Sequence, residues 1–194
     1  MKLTKKGEYA LRALIDLAIA ALVGRRIVRV SELAEKEKLS VKFLEQVMQQ
    51  LREAGFVESE RGKFGGYRLA KSARQISIGE VVRLIDGPLA PIGCVSQTAY
   101  TPCSCPDEAH CGLRMLMLDV RNAITNILDR YSLADVVEVT LRKMRRDAVP
   151  LPFTQPLRAA QQARERRKHP LATWSGRLQP VEGLINNLLG DYAI

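Results

Sequence analysis

The chain has 194 residues, 46% of them hydrophobic, with 30 Lys/Arg against 21 Asp/Glu and a formal net charge of +9. That is enough for one ordinary domain with an extension, or for two small domains. No apolar run is long enough to cross a bilayer, and the basic-then-apolar opening is interrupted by Glu8, Arg12 and Asp16 at helical spacing, so a signal peptide is excluded and a cytoplasmic protein with no membrane partner is expected.

The charge is uneven. Residues 1–87 hold 17 basic and 11 acidic side chains (net +6), residues 88–148 hold 7 of each, and residues 149–194 hold 6 against 3 (net +3). A basic first half favours a polyanionic partner, although surplus lysine often serves only solubility.

Taken in chain order, the first predicted helix runs from Lys5 to Val23, with Tyr9, Leu11, Leu14, Ile15, Leu17 and Ala18 on one face. Ser31 is placed to cap a short helix, "ELAEKEK". Only Leu39 and Ser40 separate it from "VKFLEQVMQQLREAG", whose buried stripe is Leu44, Val47, Met48 and Leu51 and whose stop is Gly55. Two short helices joined by a tight turn make a helix-turn-helix pattern, but any αα-hairpin reads the same way. The next residues decide it. "FVESE" and "YRLAK" read as two strands joined by "RGKFGG", a hairpin directly after the recognition helix, which is a wing. Its three glycines permit positive φ and close backbone approach, and Arg61 and Lys63 put cations at its tip.

Further on, Ser77 and Glu80 read as a capping box for "ISIGEVVRLIDGP", with Ile76 and Val81 as a hydrophobic staple and Gly87-Pro88 as the stop. A cysteine-bearing loop spans about Leu89 to Cys111. A long helix follows from Gly112 to Tyr131, with Leu116, Val120, Ile124, Ile127 and Tyr131 spaced by three or four. That stripe needs a partner, and a two-fold homodimer would supply one. Ser132 and Asp135 repeat the capping pattern before "LADVVEVTLRKMRR", and the composition changes from Pro150 onward. The expected organisation is therefore 1–87 winged helix-turn-helix, 88–111 sensor loop, 112–148 dimerisation and closing helices, and 149–194 a mobile basic extension. The fold class is mainly α with a small β wing.

All four cysteines lie between residues 94 and 111. In a reducing compartment that concentration points to metal binding or redox chemistry before disulfides. Thiolates suit both iron–sulfur clusters and zinc. The intervening gaps of eight, one and five residues disfavour a zinc knuckle, and there is no C-x-x-C for a dithiol oxidoreductase. A thiol-only switch stays open, because Cys103 and Cys105 are close enough to exchange partners. His110 reads as a surface histidine, and His169 and Trp174 as residues of the extension. No nucleophile motif, phosphate-binding glycine loop or paired carboxylate is visible, so no enzyme is expected.

The opening "MKLTKKGEYALRAL", the helix "LSVKFLEQVMQQLREAGFVES", the wing "RGKFGGYRLA", "ISIGEVVRLIDG", the clustered cysteines and "YSLADV" together resemble the IscR/NsrR-type (Rrf-type) bacterial winged-helix regulators over residues 1 to about 146. The resemblance implies a homodimer on double-stranded operator DNA. It also implies an iron–sulfur cluster, 2Fe–2S in preference to 4Fe–4S, that reports redox, nitric oxide or cluster status, most simply by repression. The implied ligands are Cys94, Cys105 and Cys111, with Glu8 from the other subunit, and Cys103 as an alternative. Cys94 to Cys105 is a longer gap than the family's, and Arg114 stands where a histidine ligand would fall, which favours the carboxylate. Implied DNA contacts are Ser40, Val41, Lys42, Glu45 and Gln46 on the recognition helix, and Arg61, Lys63 and Tyr67 at the wing. The competing readings are a metal-free thiol-switch or effector-controlled regulator of the same fold, and a cluster carrier or electron-transfer protein.

Overall fold

The computed structural model describes residues 3–62 and 64–154. The wing cation Lys63 and the predicted extension from 155 onward lie outside the described residues. Helix α1 (Lys5–Leu22) starts at Thr4, whose hydroxyl accepts from the Gly7 N–H at 3.1 Å while itself donating to Asp86 at 2.5 Å. Its inner face, Ala10, Ala13, Leu14 and Leu17, is almost wholly buried. Helix α2 (Val30–Glu37) begins one residue before the predicted cap. Ser31 therefore sits inside the first turn and does not cap; Arg29 takes the cap position, with no side-chain bond to the helix start. The reason is tertiary: Val28 exchanges backbone hydrogen bonds with Tyr67 of the wing (3.0 and 2.8 Å), and the helix starts as soon as that pairing releases the chain.

Lys38, in the left-handed region at φ 55°, ends α2 and leads into α3 (Val41–Glu53). Ser40 caps α3 as expected, accepting from the Phe43 N–H at 3.2 Å, and Gly55 at φ 74° stops it. Leu44, Val47, Met48 and Leu51 are fully buried. Each such side chain contributes about 1.5–3 kcal/mol, enough to fix the rotation of α3 and hence the face it leaves outside.

Strands β1 (Val57–Glu60) and β2 (Gly66–Leu69) pair antiparallel, Val57 opposite Leu69 and Glu60 opposite Gly66. The two uses foreseen for the wing glycines are divided. Gly62 adopts φ 110° at the tip, whereas Gly66 lets the strand pass the Val28 carbonyl at a distance no Cβ would tolerate. A short 3-10 turn at Ala73–Gln75, closed by a Ser72/Gln75 capping box, was not anticipated.

Helix α4 (Ile78–Asp86) is capped by Ser77, but the hydroxyl accepts from Gly79 N–H at 3.2 Å, so the Ser77/Glu80 box does not close. Ile76 and Val81 are both fully buried in one cluster, as a staple requires. Helix α5 (Gly112–Arg130) leans on α4 with one side only. Helix α6 (Leu133–Arg146), entered through the expected Ser132/Asp135 box, packs back on α1. Tyr131 departs from the stripe predicted for α5, packing inward with Leu128 against Ile78, Val82 and Leu89. Of the rest of that stripe Ile124 is half-buried, but Leu116 and Ile127 are more than half exposed, with Val120 between them and Leu113 continuing the row. At the start of the predicted extension, Phe153 packs against the main core.

Candidate DNA interface and cysteine loop

With its apolar stripe sunk in the core, α3 presents Ser40, Val41, Lys42, Glu45 and Gln46 together on its exposed face. Val41 is the large apolar side chain among them, at 41% exposure. Beside this face, between the start of α2, α3 and the wing, lies an open trough of about 460 Å³. Glu45, Arg61 and Tyr67 of the predicted contacts line it, together with Arg29 and Arg52. Arg52, whose guanidinium donates to the Ser59 hydroxyl at 3.4 Å, was not singled out from the sequence, because its position on the recognition helix does not reveal that the wing folds alongside it. Cations and hydrogen-bonding side chains around a concave strip next to an exposed helix face suit a duplex, in which phosphates meet the cations and base edges meet the helix.

The cysteine loop leaves α4 and returns to α5. A short 3-10 turn, Gly93–Val95, holds Cys94 buried, stapled by the Ser96 and Thr101 N–H groups, which both donate to the Gly93 carbonyl (3.1 and 3.2 Å). Cys103 and Cys111 are half-buried and Cys105 is exposed. Cys111 occupies the cap position of α5. Its sulfur lies 3.9 Å from that of Cys105.

The thiols interact in series. Burial pushes the Cys94 thiol up, with Cys103 adding to it. Hydrogen bonds from the Cys105 backbone and thiol lower Cys103. Bonds to Cys103 and then Cys111 push Cys105 up to about 12. Cys103 thus influences both Cys94 and Cys105, while the direct sulfur–sulfur approach is that of Cys105 and Cys111. Among the described residues no three His, Cys, Asp or Glu side chains already stand in a metal-holding arrangement.

Glu108 ties the loop together. It accepts from the Tyr100 hydroxyl at 2.8 Å, lies 3.9 Å from the Cys103 sulfur and pairs with Arg114 at 2.9 Å. His110 is turned outward, its ring 2.7 Å from Asp107. Glu8 is not with the cysteines of its own chain; on α1 it pairs with Lys5 at 2.7 Å and Arg12 at 3.4 Å. No described helix is long and apolar enough to cross a membrane.

The Rrf2 family, described as iron-dependent transcriptional regulators, matches residues 3–139. The rrf2-like HTH-type transcriptional regulator of Rhodobacter capsulatus is 41% identical over 137 residues, 70% of this chain and 91% of the relative. Among solved structures, CymR, the global cysteine regulator of B. subtilis, is similar with a TM-score of 0.60 and 30% identity, covering 72% of this chain and 98% of CymR. IscR of T. potens has a TM-score of 0.56 and 30% identity over 72% of this chain and 88% of its own. These are transcriptional regulators and not enzymes, and the expectation of a non-catalytic protein rests on that likeness. The helix-turn-helix, the wing that follows it and the agreement over residues 3–139 lead to one conclusion: the chain belongs to the Rrf2 family of DNA-binding transcriptional regulators.

Proposed function

We propose that the protein is a cytoplasmic homodimer, a repressor whose affinity for operator DNA is set by an iron–sulfur cluster, 2Fe–2S in preference to 4Fe–4S, on Cys94, Cys105 and Cys111 with Glu8 from the second subunit. The observation that carries this reading is the gathering of four interacting thiols in the loop between the winged-helix unit and α5, two of them 3.9 Å apart. The donor set fits: soft thiolates for iron, one of them at the first residue before α5, and a carboxylate on α1 of the right chemistry for a labile fourth position. When bound, the cluster supplies a centre that nitric oxide, oxygen or a redox change can alter. The chain's own part is to convert the order of the 89–111 loop into the placement of α5, and so into the spacing of two recognition helices.

The dimer rests on the bare row of α5. Ile124 is half-buried within its own chain, so a charge there would disturb the fold as well as the interface. Ile127, 57% exposed, separates the two effects. Ile127→Glu is expected to give a folded monomer in sedimentation, with helical content unchanged and operator affinity lost. A DNA-competent dimer from that variant rules the interface out.

For the DNA face, Arg61→Ala is expected to weaken operator binding by about 1–3 kcal/mol, and Lys63→Ala to weaken all duplexes similarly with a shallower salt dependence. Unchanged operator affinity in Arg61→Ala removes the wing from the interface.

The experiment for the whole reading is the visible spectrum of anaerobically purified protein, followed by operator binding before and after cluster removal. Iron–sulfur absorption and a change in affinity support it. A second reading has its own support: the 3.9 Å Cys105–Cys111 approach and the likeness to Staphylococcus aureus CymR, solved in an oxidized form, favour a metal-free thiol switch, in which oxidation alone changes DNA binding. Colourless protein whose affinity responds to oxidant decides for that reading.

A further inference from the structure

Arg121 lies on the inner side of α5 and is 8% exposed. Its Nε is buried with no hydrogen-bond partner. Arg25, Arg68 and Arg114 also bury an Nε short of a hydrogen bond, but each guanidinium is matched by a carboxylate: Glu32 at 2.6 Å, Glu58, and Glu108 at 2.9 Å. Arg121 has no such partner among the described residues. A buried cation without a counter-ion is costly to maintain, because the solvation it loses is not replaced.

The space beside it is built for the missing charge. Arg121 faces a cavity of about 20 Å³ between α4, α5 and the segment after Cys94, lined also by Arg83, Ser96, Thr98 and Thr125. No carboxylate lines it. Asp129 already neutralises Arg83 through two bonds of 2.6 Å, which leaves the charge of Arg121 unmatched. The buried Ser96 hydroxyl accepts from the Ala99 N–H at 3.0 Å, so its proton remains to be donated. The Thr125 hydroxyl is committed to the Arg121 carbonyl at 2.8 Å, so the Arg121 guanidinium and the Ser96 hydroxyl are the donors that the space has to satisfy, with the Gln97 amide at its edge. The volume admits one water-sized or slightly larger species, since roughly 10–15 Å³ holds a water, and it is too small for phosphate.

We propose that this cavity is an anion site that takes a single halide-sized anion, with Arg121 as the charge partner and the Ser96 hydroxyl as a hydrogen-bond donor. The site has a consequence for the cysteine loop. Ser96 closes the 3-10 turn that carries Cys94, so a bound anion ties that turn to α5 whether or not the thiols hold a cluster.

The test uses full-length protein in sodium gluconate, an anion too large for the cavity, with chloride exchanged in at constant ionic strength. The thermal midpoint of the wild type is expected to rise by about 2–4 °C as chloride saturates the site. Arg121→Gln should show no rise, and Ser96→Ala should need about tenfold more chloride for the same rise. The Ser96 variant keeps the test decisive should Arg121→Gln fail to fold. Crystals grown in bromide should give an anomalous peak against the Arg121 guanidinium. A wild-type midpoint blind to chloride overturns the proposal, as does an equal response in either variant. A water, or a carboxylate of the second subunit, found against Arg121 in bromide-grown crystals also overturns it.

Discussion

Lys36→Met is expected to destabilise the protein by about 3–5 kcal/mol near pH 8, a large share of the roughly 5–15 kcal/mol that holds an ordinary domain folded. Lys36 lies at the end of α2 with its ammonium 2.5 Å from Asp16 of α1 and 3.0 Å from its neighbour Glu37. The two carboxylates are 3% and 5% exposed, and Arg12 supplies a second cation to Glu37 only. Removing the ammonium leaves Asp16 buried with no counter-charge. Burial already pushes the Asp16 carboxyl up to about 6, against the hydrogen bond and charge of Lys36. Burial also pushes Glu37 upward, but the bond and charge of Lys36, then a hydrogen bond with Asp16 and the charge of Arg12, outweigh it and hold that carboxyl low.

The sign of the pH dependence follows from Asp16. A carboxyl raised on folding keeps its proton between about pH 4 and 6, where the unfolded chain has lost it, so the stability it contributes is full below about 4 and falls as pH rises through 6. Loss of Lys36 extends that fall to higher pH. Denaturant titrations should therefore show a larger defect at pH 8 than at pH 5. A defect equal at both, or below about 1 kcal/mol, means that the α1–α2 contact does not depend on this cation.

The elements legible in the sequence were those whose signals are local. In α3 the apolar stripe, the Ser40 cap and the Gly55 stop all lie within sixteen residues, and each does in the structure what its chemistry suggests. The wing was legible because a glycine-rich turn between two short strands leaves the chain few alternatives. Where the outcome depended on distant residues, the local signal misled. Ser31 is a good capping residue two positions too late, because pairing between Val28 and Tyr67, thirty-nine positions apart, starts α2 early. Tyr131 continues the spacing of the α5 stripe, yet its ring joins α4. Arg121 could not be foreseen at all. Arginine on a helix reads as surface, and only the packing of α4 and the cysteine loop around it makes its charge an anomaly. The cysteines were legible as a group but not in their contacts: that Cys94 is buried while Cys105 lies exposed 3.9 Å from Cys111 depends on how the whole loop folds back.

Alanine at Cys94, Cys105 or Cys111 is expected to abolish iron–sulfur absorption after anaerobic reconstitution, and alanine at Cys103 to retain it. Glu8→Ala should leave a weaker or altered spectrum, since a cluster on three thiolates can take water or another oxygen donor in the fourth position. Cys103 makes this a demanding experiment. It influences both Cys94 and Cys105, and its thiol is the one its neighbours lower, so by acidity alone it is better prepared to bind iron than Cys105. Against that, Cys105 already lies 3.9 Å from Cys111, and the two share the five-residue gap that the resemblance assigns to a ligand pair. Metal binding deprotonates every ligand it recruits, so the acidity of the free thiols matters less than whether three sulfurs can converge without breaking the turn that buries Cys94. That argument favours Cys105. Colour retained in Cys105→Ala and lost in Cys103→Ala reverses the order and makes Cys103, beside Glu108, the middle ligand. If both variants keep full colour, the thiols between Pro102 and Pro106 are redundant, and the fixed points of the site are Cys94 on its buried turn and Cys111 at the start of α5.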